Sequence, residues 1–330
     1  MERITLAPGA HINVLPAEKF NRCRISINFI WPAAREWATA EALLPLVLER
    51  GYQGCPDMTE LSKKLARLYG AALSVDGTMS GQSRVLTVSL SGIRDAFALA
   101  GEPLSREYAD IAFGTAFEPY RVDGVLDAEA VAIEKEQLRE LLEGEINEKR
   151  SYCIRQARRR FYGDSPAGIE RNGYLDEVDG LTADAVTRAY ARMVEQAQIE
   201  VFVLGADVDA VAQRLRTALS GLRRAPEELP APIAMPAEEP RSFEEPLPTV
   251  QGKLCMLFTP GEPFAPQDLS ALRVAVALLG GTPPRACSRT CAKSRACAIT
   301  ARRPTLRSPA RCVWTAAWST PTPRRPGSPS

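Results

Sequence analysis

Histidine is the scarcest residue with catalytic potential in this sequence, because His11 is the only one among 330 residues. A zinc site with two histidine ligands needs a second imidazole, and a histidine-activated serine or cysteine would depend on His11 alone. His11 lies in a short β-type run, where a structural role at a strand edge is the favoured interpretation. The glycine patterns that bind phosphates, GxGxxG and GxxxxGK followed by Ser or Thr, do not occur. The sequence therefore predicts neither a two-histidine zinc site nor a nucleotide loop.

Positive charge is concentrated near the end of the sequence. The chain has 41 basic and 40 acidic residues, a net charge of +1. Residues 283–330 contain ten basic residues and no acidic one, so residues 1–282 have 31 basic against 40 acidic residues. The body of the chain thus carries −9 and the tail +10. This contrast argues against a nucleic-acid role for the body and singles out the tail.

Three interpretations of the basic tail can be distinguished. It could be a nucleic-acid-binding arm, a zinc site, or a segment translated in a shifted reading frame. A zinc site would use Cys287, Cys291, Cys297 and Cys312, whose spacing contains no CxxC pair. Codons that can encode 287–300 and 311–323 were read in one shifted frame. In that frame both stretches can encode sequences with acidic residues, among them the segment VREKQSLCYY. We therefore predict that 283–330 is an out-of-frame, disordered tail.

The remaining chain alternates between helix and strand patterns, which predicts an α+β architecture. Asp57 and Glu60 are spaced as an N-cap and its capping-box partner, and Thr182 is a second predicted N-cap. A proline-rich stretch, 223–250, predicts an exposed linker between a first domain, 1–222, and a restart of the pattern at 251–282. The main elements predicted are strands at 10–15, 23–31, 71–79, 82–91 and 199–204, and helices at 40–50, 57–68, 127–162 and 183–195.

Three segments carry a resemblance to a known family. They are ERGYQGCPDMTELSKKLARLYGAALSVDGT at 49–78, IEKEQLRELLEGEI at 133–146 and YGDSPAGIERNGYLDEVDGLTADAV at 162–186. With them the body resembles the peptidase M16 family, the insulinase, pitrilysin and processing-peptidase group of the LuxS/M16 metalloenzyme-like fold. The shifted-frame VREKQSLCYY also resembles a second-domain motif of this family. The resemblance implies an antiparallel sheet with helices packed on one face, followed by an incomplete second copy.

The resemblance also implies that the zinc site of active members is missing. Those members carry HxxEH on the helix before a glycine matched here by Gly51, where two histidines hold zinc and the glutamate activates water. The corresponding positions, 42–46, read ALLPL. Glu136 and Glu143 match two glutamates of the long helix, with Glu143 at the position of the third ligand. The spacing puts both on one helix face, where a solvated Glu/Arg surface is the favoured interpretation and a retained polar patch the alternative.

The chain is accordingly interpreted as a non-catalytic M16-like protein, with no catalytic residue, metal or cofactor. The resemblance implies pairing with an active M16 subunit, an extended peptide as ligand, and a link to elongation factor P modification. An active zinc metalloendopeptidase and a nucleic-acid-binding protein using the basic tail are the alternatives. Scattered cysteines and no signal-peptide or membrane-spanning run predict a cytoplasmic protein that contacts neither nucleic acid nor membrane. The arginines at the end of the predicted long helix, Arg155, Arg158, Arg159 and Arg160, are attributed to dipole complementarity and solvation.

Overall fold

The computed structural model describes residues 1–15, 19–231, 239–248, 251–257, 266–276, 298–302 and 315–321. The chain divides into two compact units, Met1–Glu143 with Ile169–Pro230, and Gly144–Gly168 with Ala231–Ser330. The predicted first domain, 1–222, differs from the first unit chiefly in one segment. Residues 144–168 belong to the second unit, because the helix that they contain packs against the strands of that unit.

The first unit is built on a six-stranded sheet with the strand order β1-β2-β8-β3-β5-β4. All neighbouring strands run antiparallel except β2 and β8, which run parallel. A separate two-stranded ribbon is formed by β6 and β7. The strands are β1 (Glu2–Ala7), β2 (Ala10–Leu15), β3 (Arg22–Pro32), β4 (Ala72–Ser80), β5 (Ser83–Ile93), β6 (Arg121–Val122), β7 (Val125–Leu126) and β8 (Gln198–Leu204).

Helices pack against one face of this sheet, with α1 on β4, α3 on β5 and β3, and α7 on β3. The reason is visible in β3, where Ile25, Ile27, Phe29 and Trp31 alternate with more exposed residues and are fully buried. This arrangement confirms the predicted α+β fold. The helices of the unit are α1 (Ala38–Glu49), α2 (Met58–Arg67), α3 (Leu104–Phe117), α4 (Ala128–Gly144), α6 (Leu175–Val178), α7 (Ala183–Gln196) and α8 (Val208–Leu219), with 3-10 turns at Arg35–Trp37 and Asp95–Phe97.

Both predicted N-caps are confirmed. The Asp57 side chain accepts a hydrogen bond from the Glu60 backbone N–H at 2.8 Å, and Thr182 accepts one from Ala185 at 3.2 Å. Each bond satisfies a backbone donor that the first turn of a helix leaves without an intrahelical partner. None of the helices in the described ranges is long and apolar enough to cross a membrane.

The prediction of one continuous helix over 127–162 is wrong in one respect, because the structure has two helices there with a break between them. Helix α4 ends at Gly144, and α5 (Lys149–Tyr162) begins after Glu148, whose side chain caps it by accepting a bond from the Arg150 backbone N–H. Glycine is a poor helix former, and a local cap at Glu148 makes a new start favourable. Apolar period and charge order alone did not reveal this break.

The second unit contains α5, a 3-10 turn at Pro166–Gly168 and a three-stranded antiparallel sheet of order β10-β11-β9. Two segments of the tail predicted to be disordered are strands, so that expectation is corrected for them: β11 forms backbone pairs with both β9 and β10. The described residues of the predicted linker form neither helix nor strand. The elements are β9 (Gln251–Met256), α9 (Leu269–Val276) after a 3-10 turn at Pro266–Asp268, β10 (Ala298–Arg302) and β11 (Thr315–Pro321).

Candidate functional site

Helix α1 carries the positions that match the HxxEH motif of active M16 peptidases. Ala42 and Pro45 are buried and Leu46 is partly buried, and none of the three offers a metal ligand. Pro45 packs onto strand β4, because a Cβ atom on Gly77 would lie 3.0 Å from its Cγ atom. A proline here has no N–H for the carbonyl of Glu41 one turn earlier, a loss that a catalytic glutamate would not impose. The helix surface that would hold zinc is therefore an apolar contact with the sheet.

The two glutamates of α4 that match the family motif lie away from the interior. Glu136 and Glu143 are both exposed, and Glu136 pairs with Arg139 at 2.8 Å. This placement agrees with a solvated helix surface. Among the described residues, no group of three or more His, Cys, Asp or Glu side chains could hold a metal ion. The residues present at α1 and α4 do not fit a zinc ion.

A different glutamate of α4, Glu134, faces the interior and was missed by sequence reasoning. It is 5% exposed, and its carboxylate accepts a bond from the Arg50 guanidinium at 2.8 Å. The sequence did contain a signal for this burial, since the spacing of Glu134 from Val131 and Leu138, which are buried, puts all three on one helix face. The inward face of α4 thus presents a carboxylate to the end of α1, but one already paired with an arginine.

Three carboxylates lie near the end of α1, beside strand β4. Burial raises the pKa of the Glu49 carboxyl, and the nearby carboxylates of Asp76 and Glu134 raise it further. Asp76 is exposed on β4, the last strand of the sheet. Arg50 pairs with Glu134 and so offsets part of the charge. The edge of the sheet next to the zinc-motif positions is therefore acidic.

A buried charged cluster lies beneath α1, and no sequence pattern predicted it. Glu41 is 1% exposed and accepts hydrogen bonds from the Trp31 indole at 2.8 Å and from Arg192 at 2.5 Å. Arg84 lies directly opposite Trp31 in the sheet and donates to the Arg171 carbonyl at 3.0 Å. This cluster joins α1 to β3, β5, α7 and the segment before α6.

Burial sets the ionisation of this cluster. It raises the pKa of the Glu41 carboxyl, while the positive charges of Arg84 and Arg192 and the Trp31 hydrogen bond act in the opposite direction. It also lowers the pKa of Arg84 to about 10, which leaves the guanidinium charged at neutral pH. Arg84 Nη2 lies 3.9 Å from the Cβ position of Gly77, the same position that Pro45 contacts. A fixed positive charge beneath the zinc-motif positions disfavours a cation there.

The other candidates from the sequence are His11, four arginines and four cysteines. His11 lies on β2, where its Nδ1 is 3.0 Å from the Thr5 hydroxyl. In the second unit, Arg155 pairs with Glu145, and Arg160 pairs with Glu245 at 3.5 Å, while Arg158 and Arg159 are exposed. The four tail cysteines lie outside the described residues.

We expect that introducing the His, Glu and His residues of the HxxEH motif into α1 will not create a zinc site. The variant Ala42→His, Pro45→Glu, Leu46→His should bind zinc no more tightly than a matched control with two histidines one turn apart on α2, Lys63→His, Arg67→His. Both control positions are exposed. In the triple variant the inward carboxylate of α4, Glu134, remains paired with Arg50, and Arg84 is retained. Isothermal titration with zinc measures the difference. Stoichiometric zinc with chelator-sensitive peptide cleavage would contradict this expectation.

Known proteins resemble this chain in sequence and in fold. No protein-family model matches the chain. Among curated proteins, a probable inactive metalloprotease YmfF of Bacillus subtilis strain 168 is 25% identical over 277 residues, covering 83% of this chain and 64% of that protein. The chain thus spans less than two thirds of the length of this relative.

Solved structures show the same fold. A conserved protein from Enterococcus faecalis V583 superposes with a TM-score of 0.83 at 22% identity, over 96% of this chain and 75% of that one. A peptidase M16 inactive domain from Pseudomonas fluorescens gives 0.72 at 14% identity, over 97% and 74%. A protease from Helicobacter pylori gives 0.70 at 13%, over 98% and 75%. The architecture is therefore shared with an inactive M16 peptidase domain and with a protease.

Proposed function

We propose that this chain, whose zinc-motif positions are apolar, is a non-catalytic M16-like protein that acts by binding in the cytoplasm. It holds an extended peptide along strand β4 and pairs with an active M16 subunit that supplies the zinc. A link to the modification of elongation factor P, implied by the family resemblance, belongs to the same proposal. The observation that carries the proposal is an edge strand lying against the apolar face of α1.

Strand β4 has the features needed to accept another strand. It pairs with β5 on one side and is the last strand of the six-stranded sheet. An edge strand presents backbone N–H and C=O groups that an extended peptide can pair with, while alternate side chains fall on each face. Helix α1 supports β4 from the core side through the contact of Pro45 with Gly77. These features support binding without any requirement for a metal.

Charge beside β4 favours a particular class of peptide. Asp76 is exposed on the strand, and Glu49 and Glu134 lie close enough to influence each other electrostatically. A basic side chain in the bound peptide would relieve this repulsion, and the attraction would weaken with salt. Peptides with an arginine or lysine are thus the proposed ligands.

Fluorescence anisotropy with a short labelled peptide of alternating Val and Thr and a central Arg tests peptide binding. We expect Asp76→Asn to weaken binding of this peptide about fivefold, the effect of about 1 kcal/mol. A matched peptide with Leu in place of Arg should bind the wild-type protein and Asp76→Asn with the same affinity. Equal weakening for both peptides would mean that Asp76 acts through the fold rather than through charge.

Backbone pairing is tested separately with two N-methylated forms of the same peptide. Alternate amides of a strand point to opposite edges, so methylation of one set should abolish binding and methylation of the other should leave it unchanged. Equal affinity of the two forms would exclude pairing with β4. Absence of binding by the unmethylated peptide would refute the peptide part of the proposal.

Subunit pairing requires its own experiment. The chain should be mixed with an active M16 peptidase subunit from the same organism and examined by sedimentation velocity, with the active subunit alone and an unrelated active M16 subunit as controls. We expect a heterodimer and a higher kcat/KM for peptides with basic residues. Independent sedimentation of both chains would refute pairing without affecting the peptide result.

A further inference from the structure

The buried cluster beneath α1 contains two polar atoms that its own side chains do not satisfy. Glu41 Oε2 and Arg84 Nη1 are enclosed, and within the described part of the chain neither has a hydrogen-bond partner. Both residues are more than nine-tenths buried, at 1% and 2% exposed. Arg84 Nε lies 3.8 Å from Glu41 Oε2, which is an ion-pair distance but too long for a hydrogen bond. Leaving such atoms unsatisfied would cost about 1–3 kcal/mol each, and more for charged groups.

The remaining hydrogen bonds of these two side chains define what is missing. Glu41 Oε1 already accepts from Trp31 and Arg192, and Arg84 Nη2 already donates to the Arg171 carbonyl. The unsatisfied atoms are therefore one acceptor and one donor, on two residues that face each other. A ligand at this position must donate one hydrogen bond and accept another.

Charge narrows the choice of ligand. An anion would meet the Glu41 carboxylate, and a cation would meet the Arg84 guanidinium, so neither is favoured in an enclosed site. A small neutral molecule that both donates and accepts satisfies both groups. We propose that one internal water molecule binds here, donating to Glu41 Oε2 and accepting from Arg84 Nη1.

This water completes a continuous polar connection. It links the segment at Arg171 through Arg84 to Glu41, and Glu41 in turn binds Trp31 and Arg192. Helix α1 is then held to the sheet by hydrogen bonds at the turn where the zinc motif of active M16 members begins. None of the groups of this site lies on strand β4, so a crystallographic test of the water does not require a bound peptide.

A crystal structure of the full chain at a resolution that shows ordered water tests the proposal. We expect a density peak within hydrogen-bonding distance of both Glu41 Oε2 and Arg84 Nη1. Arg192→Lys should retain this peak, because Arg192 binds the other carboxylate oxygen, whereas Arg84→Met should lose it.

Three results would overturn the proposal. They are a direct hydrogen bond between Glu41 Oε2 and Arg84 Nη1, a hydrogen bond from either atom to another residue of the chain, and a wild-type map without a density peak at the site. If Arg84→Met does not fold, the wild-type and Arg192→Lys maps decide the question.

Discussion

Replacing Glu41 by Ala is expected to lower the free energy of unfolding by about 3–5 kcal/mol. The reason is that the substitution leaves the Arg84 and Arg192 guanidinium groups without their shared carboxylate. Arg84 is 2% exposed and cannot recover hydration in the folded state. The Trp31 indole also loses its acceptor. Urea denaturation followed by tryptophan fluorescence and by circular dichroism measures the change.

Two further variants separate the charge from the shape of this side chain. Glu41→Gln keeps an acceptor for Trp31 and nearly the same volume, so its loss should be smaller than that of Glu41→Ala. Glu140→Ala is the matched surface control, because Glu140 is exposed on α4, and its effect should stay within about 0.5 kcal/mol. Equal losses for the two Glu41 variants would show that the lost charge accounts for the whole effect and that the volume and the acceptor contribute little.

The same cluster predicts a pH dependence. Because burial raises the pKa of Glu41 in the folded state, its contribution to stability is fully present below the ordinary carboxyl pKa. That contribution is lost as pH rises from there through the raised value. The wild-type protein should therefore lose stability relative to Glu41→Gln over this interval. Urea midpoints of both proteins, measured across this pH interval, test the sign of the effect. A gain in stability of Glu41→Gln relative to the wild-type protein as pH falls would contradict the prediction.

The sequence predicted the sheet and its helices well, because apolar alternation and helical spacing arise from the same burial that forms the core. The alternation in β3 and the caps at Asp57 and Thr182 are local features that a single segment contains. The break between α4 and α5 was missed, since Gly144 and the cap at Glu148 are weak signals within a charged segment. Local patterns thus located elements but not every boundary.

The candidate site was predicted less completely. Apolar residues at 42–46 are sufficient to predict that these five positions offer no metal ligand, whatever the fold. By contrast, the partners of Glu41 come from remote positions, Arg84 on β5 and Arg192 on α7, and only the tertiary structure brings them together. Glu41, a carboxylate next to the apolar run of helix α1, was a sign that some buried partner exists, but not of which one. The shifted-frame origin of the tail stays a prediction.

Strand β5 supports the proposed peptide-binding strand β4 and is itself held by a close contact with α3. A Cβ atom on Gly92 would lie 2.4 Å from both Cζ and Oη of Tyr108. Tyr108 is fully buried, and burial raises the pKa of its hydroxyl to about 12. The ring cannot move aside without displacing other core residues, so this position admits only glycine.

Gly92→Ala is therefore expected to destabilise the protein by about 2–3 kcal/mol through overpacking. In the background of Tyr108→Leu, whose shorter side chain lacks both clashing atoms, the same substitution should have a much smaller effect, with a coupling energy of about 1–2 kcal/mol. Gly144→Ala is the control, because a Cβ atom there meets nothing within 4 Å, and it should be neutral or slightly stabilising. Urea denaturation of the four proteins of the cycle measures the coupling. Strict additivity would show that the cost at Gly92 arises from the backbone rather than from Tyr108, and the contact of β5 with α3 would then not explain why glycine is needed.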